Sequence, residues 1–367
     1  MKYLKETILI CLMLMVGFMS LGCSSRKDNE NLNENVEFED CAGRKITLTK
    51  KVERIVDLTF LEGVRTLIEL EAEDYLVGMS EMDHQAFNKD GMLKNSYLIV
   101  SQAAPGLKNV VNVGNHNEIN VEKIMSLNPD VVFVEWSKKD YADKLQAQIN
   151  IPVVCVGGYG SFNYEIFSVV GKIVGKEDRA EELIEYTKTK LEAITKVTEN
   201  IPEDKKKKIF YWVRPYIGDP RTNGRYEAFE LAGAKNVARG DNNTPYGVYK
   251  ITKEQILDWN PDYIFKHSSF IKDVEGWHTI ESIKEDKIIS GTIAAKNNCI
   301  LPTKGHMRGW DIATEATEVF YLAKIMYPNK FIEIDVEKEC NEILKKFYGI
   351  DNLYTDMSNK LRLHNIK

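Results

Sequence analysis

The chain predicts an α/β fold of two Rossmann-like lobes joined by one long interdomain α-helix. Three features carry that expectation. Apolar, strand-like runs alternate with amphipathic helical stretches from Phe38 onward, the pattern of mainly parallel sheets. A long helical pattern over Asp178–Asn200 divides the chain near its middle. A stretch before that helix is matched by one after it. Ile119–Val134 reads INVEKIMSLNPDVVFV and Ile251–Lys266 reads ITKEQILDWNPDYIFK; without gaps, 7 of the 16 positions are identical.

In the dividing helix Ala180, Leu183, Ile184, Leu191, Ile194 and Val197 recur at helical spacing. Asp178 is placed as its N-cap after the helix-stopping Gly175, and Pro202 with the Lys205–Lys208 run marks its end. Such a helix spans roughly 34 Å at ~1.5 Å per residue, long enough to brace two lobes. Each matched stretch reads as a short amphipathic helix, an Asn-Pro-Asp turn and a β-branched strand. A lobe at 38–175, a linking helix at 176–203 and a lobe at 204–367 follow, with a cleft between the lobes.

Taken in order, Phe38–Thr49 reads as a hairpin turning at Ala42-Gly43-Arg44. Arg54–Leu58 and Tyr75–Ser80 read as strands, with a helix at Glu62–Leu70 between them. The second of these strands runs into Glu81-Met82-Asp83-His84, and Gln85–Gly106 reads as an irregular surface excursion. Ile151–Val156 is a further strand and Tyr164–Val174 a helix. Beyond the linker come a strand at Lys208–Val213, a helix at Tyr226–Ala232 closed by Gly233, and a strand at Ile300–Pro302. A last long helix is expected over Asp311–Met326.

The N-terminus reads as a targeting segment. Lysines in Met1–Glu6 precede an almost wholly apolar Thr7–Leu21, then Leu21-Gly22-Cys23 and two serines. This resembles a bacterial lipoprotein signal, with residues 1–22 removed and the Cys23 thiol carrying lipid. A plain secretory signal or a membrane anchor are the alternatives, and the apolar run is short for a span. Residues 23–37, rich in Asn and Glu, then form a tether.

Composition narrows the function. Hydrophobic content of 43% and charged content of 28% are those of a soluble globular protein. A formal net charge of -6 argues against nucleic acid as a partner, and Lys205–Lys208 reads as a solvated linker. Cys41, Cys155, Cys299 and Cys340 show no metal-type spacing; one disulfide is possible but cannot be paired from sequence. Cys155 lies within an apolar strand and reads as a buried small hydrophobe. His84, His116, His267 and His306 come from separate loops without an HxxxH-type pair, so no metal site is expected. There is no Gly-Lys-Ser/Thr phosphate loop and no G-x-S-x-G elbow.

In open α/β sheets ligands bind beyond the carboxyl ends of the strands. That rule selects Phe60, Met82, His116, Trp136 and Tyr159 in the first lobe. In the second it selects Trp212, Arg214, Tyr216, Tyr246, His267, Arg308 and Trp310. Aromatic rings offer flat apolar area at low entropy cost, and arginine offers a fork for anionic oxygens. Together they suit a bulky, partly anionic ligand. Trp212, inside a strand, fits core and cleft equally.

At these residues the chain resembles the periplasmic-binding-protein family that feeds importers of ferric siderophores, haem and cobalamin. The likeness runs from Arg44 to Phe331 through VERIVDL, YLVG, VGNHNEINVEKIMSLNPDVV, IPVV, VGKEDRAEELI, LAGAKNVA, ITKEQILDWNPDYI and LAKIMYPNKF. The resemblance implies two lobes on one stiff helix, small hinge closure, and a chelate handed to an ABC permease driven by its ATPase. It implies no catalysis and no resident cofactor, the transported ligand being an iron chelate such as a ferric siderophore. It also implies docking glutamates: Glu227 falls at the second-lobe position, and in the first lobe Arg65 stands there with Glu62 and Glu69 about a turn away. A haem or cobalamin receptor, a chelatase-like enzyme on a related two-lobed fold, and a surface sensor are the competing readings.

Overall fold

Parallel strands covered by helices on both faces need side chains that are apolar on both faces, and the strands here have them. The computed structural model describes residues 35–363 apart from 116–117, 159, 161, 214–217, 225, 239–247, 269, 271–274 and 306–310. A hairpin of β1 (Val36–Glu39) and β2 (Lys45–Leu48) comes first, its turn carrying Gly43 at φ 71°. The first sheet holds β3 (Ile55–Asp57), β4 (Leu76–Met79), β5 (Val111–Asn112), β6 (Val131–Glu135) and β7 (Val153–Val156). The second holds β8 (Lys207–Trp212), β9 (Ala234–Asn236), β10 (Tyr263–His267) and β11 (Ile300–Thr303). All pairings in both sheets are parallel.

The strand orders repeat. The first sheet runs β5-β4-β3-β6-β7 and the second β9-β8-β10-β11, so apart from the edge strand β5 each reads second, first, third, fourth. Helices fill the connections: α1 (Glu62–Glu69), α2 (Glu81–Asn88), α3 (Val121–Ser126), α4 (Lys139–Ile149) and α5 (Glu165–Val174). The 22-residue α6 (Glu177–Thr198) then leads to the second sheet. After it come α7 (Glu227–Leu231), α8 (Lys253–Trp259), α9 (Ile312–Met326), α10 (Val336–Tyr348) and α11 (Leu353–Lys360).

The sequence repeat is a structural unit with matching chemistry. Asn120 caps α3 by accepting the Lys123 amide, and Thr252 caps α8 by accepting the Gln255 amide. Asn128 and Asn260 both take left-handed backbone, at φ 46° and 47°, where asparagine is better tolerated than most residues. The next-but-one aspartate in each copy ties the third strand to the first. Asp130 Oδ2 accepts the Glu53 and Arg54 amides at 2.9 Å each, and Asp262 Oδ2 accepts the Lys208 amide at 2.8 Å. Each aspartate also donates its own amide to the neighbouring segment, to the carbonyls of Arg54 and Lys208, both at 2.8 Å.

Alternation along the strands sorts side chains between three cores. Val56, Val132, Val134, Val153 and Cys155 pack on the outer side of the first sheet with α3 and α4. Phe210, Trp212, Ile264 and Ile300 do the same in the second. Their neighbours Ile55, Val131, Phe133, Val154, Ile209, Tyr211 and Phe265 all point into one continuous core, shared with α1, α5, α6, α9 and α10. Pairs of like period-two strands therefore meet a single helical layer.

Three expectations are corrected. Asp178 does not cap α6: the cap is Lys176, without a side-chain bond, and Gly175 supplies the left-handed stop of α5 at φ 68°. The stretch from Glu81 is helical, because the Ser80 hydroxyl accepts the Asp83 amide and starts α2; further short helical turns fill residues 91–109. Asp311–Met326 is not the last long helix, since α10 and α11 follow it.

The repeat yields a stability test. Asp130→Ala removes two carboxylate-to-amide bonds and should cost about 1.5–3 kcal/mol, with Asp262→Ala, which removes one, costing less. Urea denaturation of the two variants measures the order; equal losses would show that the number of amide bonds does not set the cost.

Candidate ligand-binding site

The loops after the carboxyl ends of the two sets of strands touch each other. Ser96, between β4 and β5, forms an antiparallel bridge with Phe270, just beyond β10. The Phe162 amide, after β7, donates to Glu227 Oε2 at the start of α7, 3.2 Å away. Arg65 of α1 approaches Asp311, the N-cap of α9, at 3.5 Å with both side chains buried. Lys304, immediately after β11, feels Asp311, Glu315, Glu318 and Arg65 together.

This junction is rich in buried acids, held mainly by hydrogen bonds. Glu318 accepts from the Thr303 hydroxyl and from the amides of Lys304 and Gly305 at 3.2 and 3.3 Å. The Lys304 ammonium donates to the Thr314 hydroxyl. The Tyr348 hydroxyl donates to Glu69 at 2.8 Å. Burial, with the Asp311 charge beside it, pushes Glu69 well above the usual carboxylate range. Burial likewise raises Glu318 and lowers Lys304. The Arg65 guanidinium stays charged: burial works against it, but Asp311, Tyr348, Glu69 and Glu62 together outweigh burial.

Glycines set the spacing around this junction. Gly157 has φ 96°, and a Cβ there would fall 1.9 Å from Glu62 Oε2 and 3.4 Å from Trp136 Cδ1. Only glycine lets the β7 loop lie between them. Beside it, Glu62, Glu69, Gly157, Ile166 and Ile312 line a cavity of about 20 Å³, room for roughly one water. In the second half, a Cβ on Gly305 would fall 2.2 Å from the Tyr211 hydroxyl and 2.7 Å from His267 Cδ2. Tyr211 stacks on Tyr226 with ring centroids 5.3 Å apart.

A carboxyl pair underlies the turn after β3. Asp57 and Asp83 are both wholly buried. The Thr59 hydroxyl donates to Asp57 Oδ2 at 2.9 Å; the Leu61 amide and Ser80 hydroxyl donate to Asp83, each at 2.9 Å. Burial raises Asp57 to about 7 despite the Thr59 bonds. Burial and the charge of Asp57 raise Asp83 well above its usual range.

Phe60 sits half-buried in that turn, and Met82 sits half-buried on α2 rather than in a loop. Trp136 lies at the end of β6 beside Gly157, and His267 is buried at the end of β10. Trp212 is corrected to core: it lies on the outer face of β8, edge-on to Phe210 at 6.1 Å and to His278 at 5.4 Å. Tyr211, one residue earlier, is the side chain that faces the junction. Glu62 is corrected too, since at 8% exposure its carboxylate is shut under Gly157 and offers no docking surface. Glu227 is exposed but engaged with the Phe162 amide. His116, Tyr159, Arg214, Tyr216, Tyr246, Arg308, Trp310 and Cys23 lie outside the described residues. Cys41, Cys155, Cys299 and Cys340 are free thiols. Among the described residues no three His, Cys, Asp or Glu side chains are arranged to hold a metal ion, and no helix is long and apolar enough to cross a membrane.

Sequence reasoning missed a matched surface pair. Glu122 and Met125 on α3 occupy the same repeat positions as Glu254 and Leu257 on α8, and all four are exposed, Met125 at 41% and Leu257 at 36%. Exposed apolar residues at equivalent points of a repeat were readable from the alignment of the two copies.

Two parallel-sheet lobes that meet at their strand ends define a two-lobed solute-binding protein. The chain belongs to the family whose model is described as periplasmic binding protein, which matches residues 58–305. It is 25% identical to the molybdate-binding protein MolA of Haemophilus influenzae, over 94% of this chain and 96% of that one. It is 23% identical to the Fe(3+)-citrate-binding protein YfmC of Bacillus subtilis, over 80% of this chain and 87% of that one. The molybdate-bound structure of MolA, cognate to an ABC transporter, superposes with a TM-score of 0.67 at 23% identity, covering 86% of this chain and 98% of that one. The class is that of ABC-transporter substrate-binding proteins, which work with a permease and an ATPase.

Proposed function

We propose that this protein is the lipid-anchored receptor of an ABC importer, that it captures a metal-bearing anion between its lobes, and that it catalyses no reaction. The observation that carries the reading is the meeting of the two sets of strand-end segments, at Ser96–Phe270 and Phe162–Glu227. The relatives add the ligand class, since molybdate and ferric citrate are both anions built on a metal. Arg214 and Arg308, which follow β8 and β11 in the sequence, are the residues assigned to anionic oxygens. Cys23 is assigned the lipid.

Ligand size divides this reading into two. The aromatic loops favour a ferric siderophore, as does stacking on Phe60 and Trp136. The ligands named for the relatives, molybdate and ferric citrate, favour a compact anion. The compact anion is the reading adopted. Native mass spectrometry of the full chain with molybdate, ferric citrate, a ferric siderophore, haem and cobalamin decides. Retention of molybdate or ferric citrate is expected, with Arg308→Ala weakening it by about 1–3 kcal/mol. Retention of haem or cobalamin alone, or turnover of a tetrapyrrole, would overturn the assignment.

Permease docking is assigned to the matched pair Glu122/Met125 and Glu254/Leu257 beside the exposed Glu227, with buried Glu62 set aside. Two like patches, one per lobe, suit a partner with two like receiving surfaces, and each sets a carboxylate beside an apolar anchor. Glu122→Lys with Glu254→Lys should abolish stimulation of the transporter ATPase while leaving ligand affinity within twofold. Undiminished stimulation would send docking elsewhere.

A further inference from the structure

Two consecutive residues between β4 and β5 are gripped by two different elements from the second half of the chain. Ser96 forms the antiparallel bridge with Phe270, just beyond β10. Tyr97 donates its hydroxyl to Asp356 Oδ2 of α11 at 2.8 Å. Both residues are buried, at 7% and 4% exposure. A buried phenol hydroxyl needs a hydrogen-bond partner, and α11 supplies the acceptor.

Each grip is braced from behind. The Phe270 ring stands edge-on to Trp277 with centroids 5.0 Å apart. His278, the next residue, is edge-on to buried Trp212 at 5.4 Å, and its Nδ1 lies 3.2 Å from the Ser282 hydroxyl. On the other side α11 is tied to α10. Asn341 Oδ1 accepts the Tyr354 amide at 2.9 Å, and Asn341 Nδ2 donates to the Thr355 hydroxyl at 2.8 Å. Leu353 and Met357 of α11 are buried in the shared core. Asp356 is held in place as well: the Lys360 ammonium donates to the same Oδ2 at 2.9 Å and lies 5.7 Å from the centre of the Tyr97 ring. Burial would raise Asp356, but the bonds from Lys360 and Tyr97 outweigh it and hold the carboxyl below its usual range, so it accepts as an anion at neutral pH.

We propose that Tyr97 and Asp356 are positioning residues for the cleft: α11 pins Tyr97, and through it keeps Ser96 paired with Phe270, so that the two sets of strand-end segments stay together. A lone bridge lacks the flanking pairs that make a ladder stable. Neighbouring Cα atoms are only ~3.8 Å apart, so a fixed Tyr97 leaves Ser96 little room to drift from Phe270. The C-terminal helix thus acts as a strap, carrying part of the first-sheet half on the second. The effect on a ligand rests on the cleft reading above; the grip on Ser96 does not.

Hydrogen exchange of the full chain, resolved to single residues, tests the strap without a ligand. Tyr97→Phe removes the hydroxyl and keeps the ring; it should raise exchange about tenfold over residues 94–99 and at Phe270, with β3 and β8 unchanged. Asp356→Ala should do the same, and the double variant no more, because each change removes the same bond. Asp356→Asn keeps an acceptor and should stay within about threefold of the parent. Unchanged exchange at Phe270 overturns the proposal, as does a rise confined to α11 or spread evenly over the chain, which marks a plain structural contact. Where Asp356→Ala fails to fold, Tyr97→Phe against Asp356→Asn decides by the same criteria. Molybdate release, expected severalfold faster in Tyr97→Phe with capture unchanged, reports on the cleft reading separately: a parent chain that holds no molybdate strikes that reading and leaves the exchange result in force.

Discussion

One shared core governs this molecule. The inner faces of both sheets bury Ile55, Phe133, Ile209, Tyr211 and Phe265 into the same layer of helices, α1, α5, α6, α9 and α10. Sheets in separate domains would each close over their own helices. Here α6 is no bare spacer: Leu183, Ile184, Leu191 and Ile194 are buried in that layer. Burial at roughly 25 cal/mol per Å² makes separating the sheets expensive, so the lobes have little freedom to swing.

The polar junction follows from that constraint. Where Arg65 of α1 meets the N-cap of α9, Arg65, Glu69, Asp311 and Glu318 are all buried. Their charges are met by each other, by Thr303 and Tyr348, and by raised carboxyl pKa values. A buried ion pair adds little net stability, but it fixes register, since either charge left alone costs several kcal/mol. The Arg65–Asp311 contact thus bears on how the lobes face each other, and with it on the distance between the facing strand-end loops.

Local chemistry made much of this legible. The repeat could be read because its signals lie within a few residues of each other: a capping Asn120 or Thr252, a left-handed Asn128 or Asn260, and a strand-tying Asp130 or Asp262. Parallel sheets followed from the alternation of strand and helix. What needed tertiary partners could not be read. The sequence FYW at 210–212 does not say which face of β8 is inward; the helix layer decides that Tyr211 is, and Trp212 is not. Glu62 looked available on a helix, but α1 is buried on every side by two lobes rather than one. Ser80-x-x-Asp83 was a readable helix start that the preceding strand pattern obscured.

Differential scanning calorimetry of the full chain tests the shared core most directly. Chains with independent lobes unfold in separate steps, whereas one core spanning both lobes must melt as a unit. The account predicts a single transition whose calorimetric and van't Hoff enthalpies agree. Two resolved transitions, one per lobe, would contradict it.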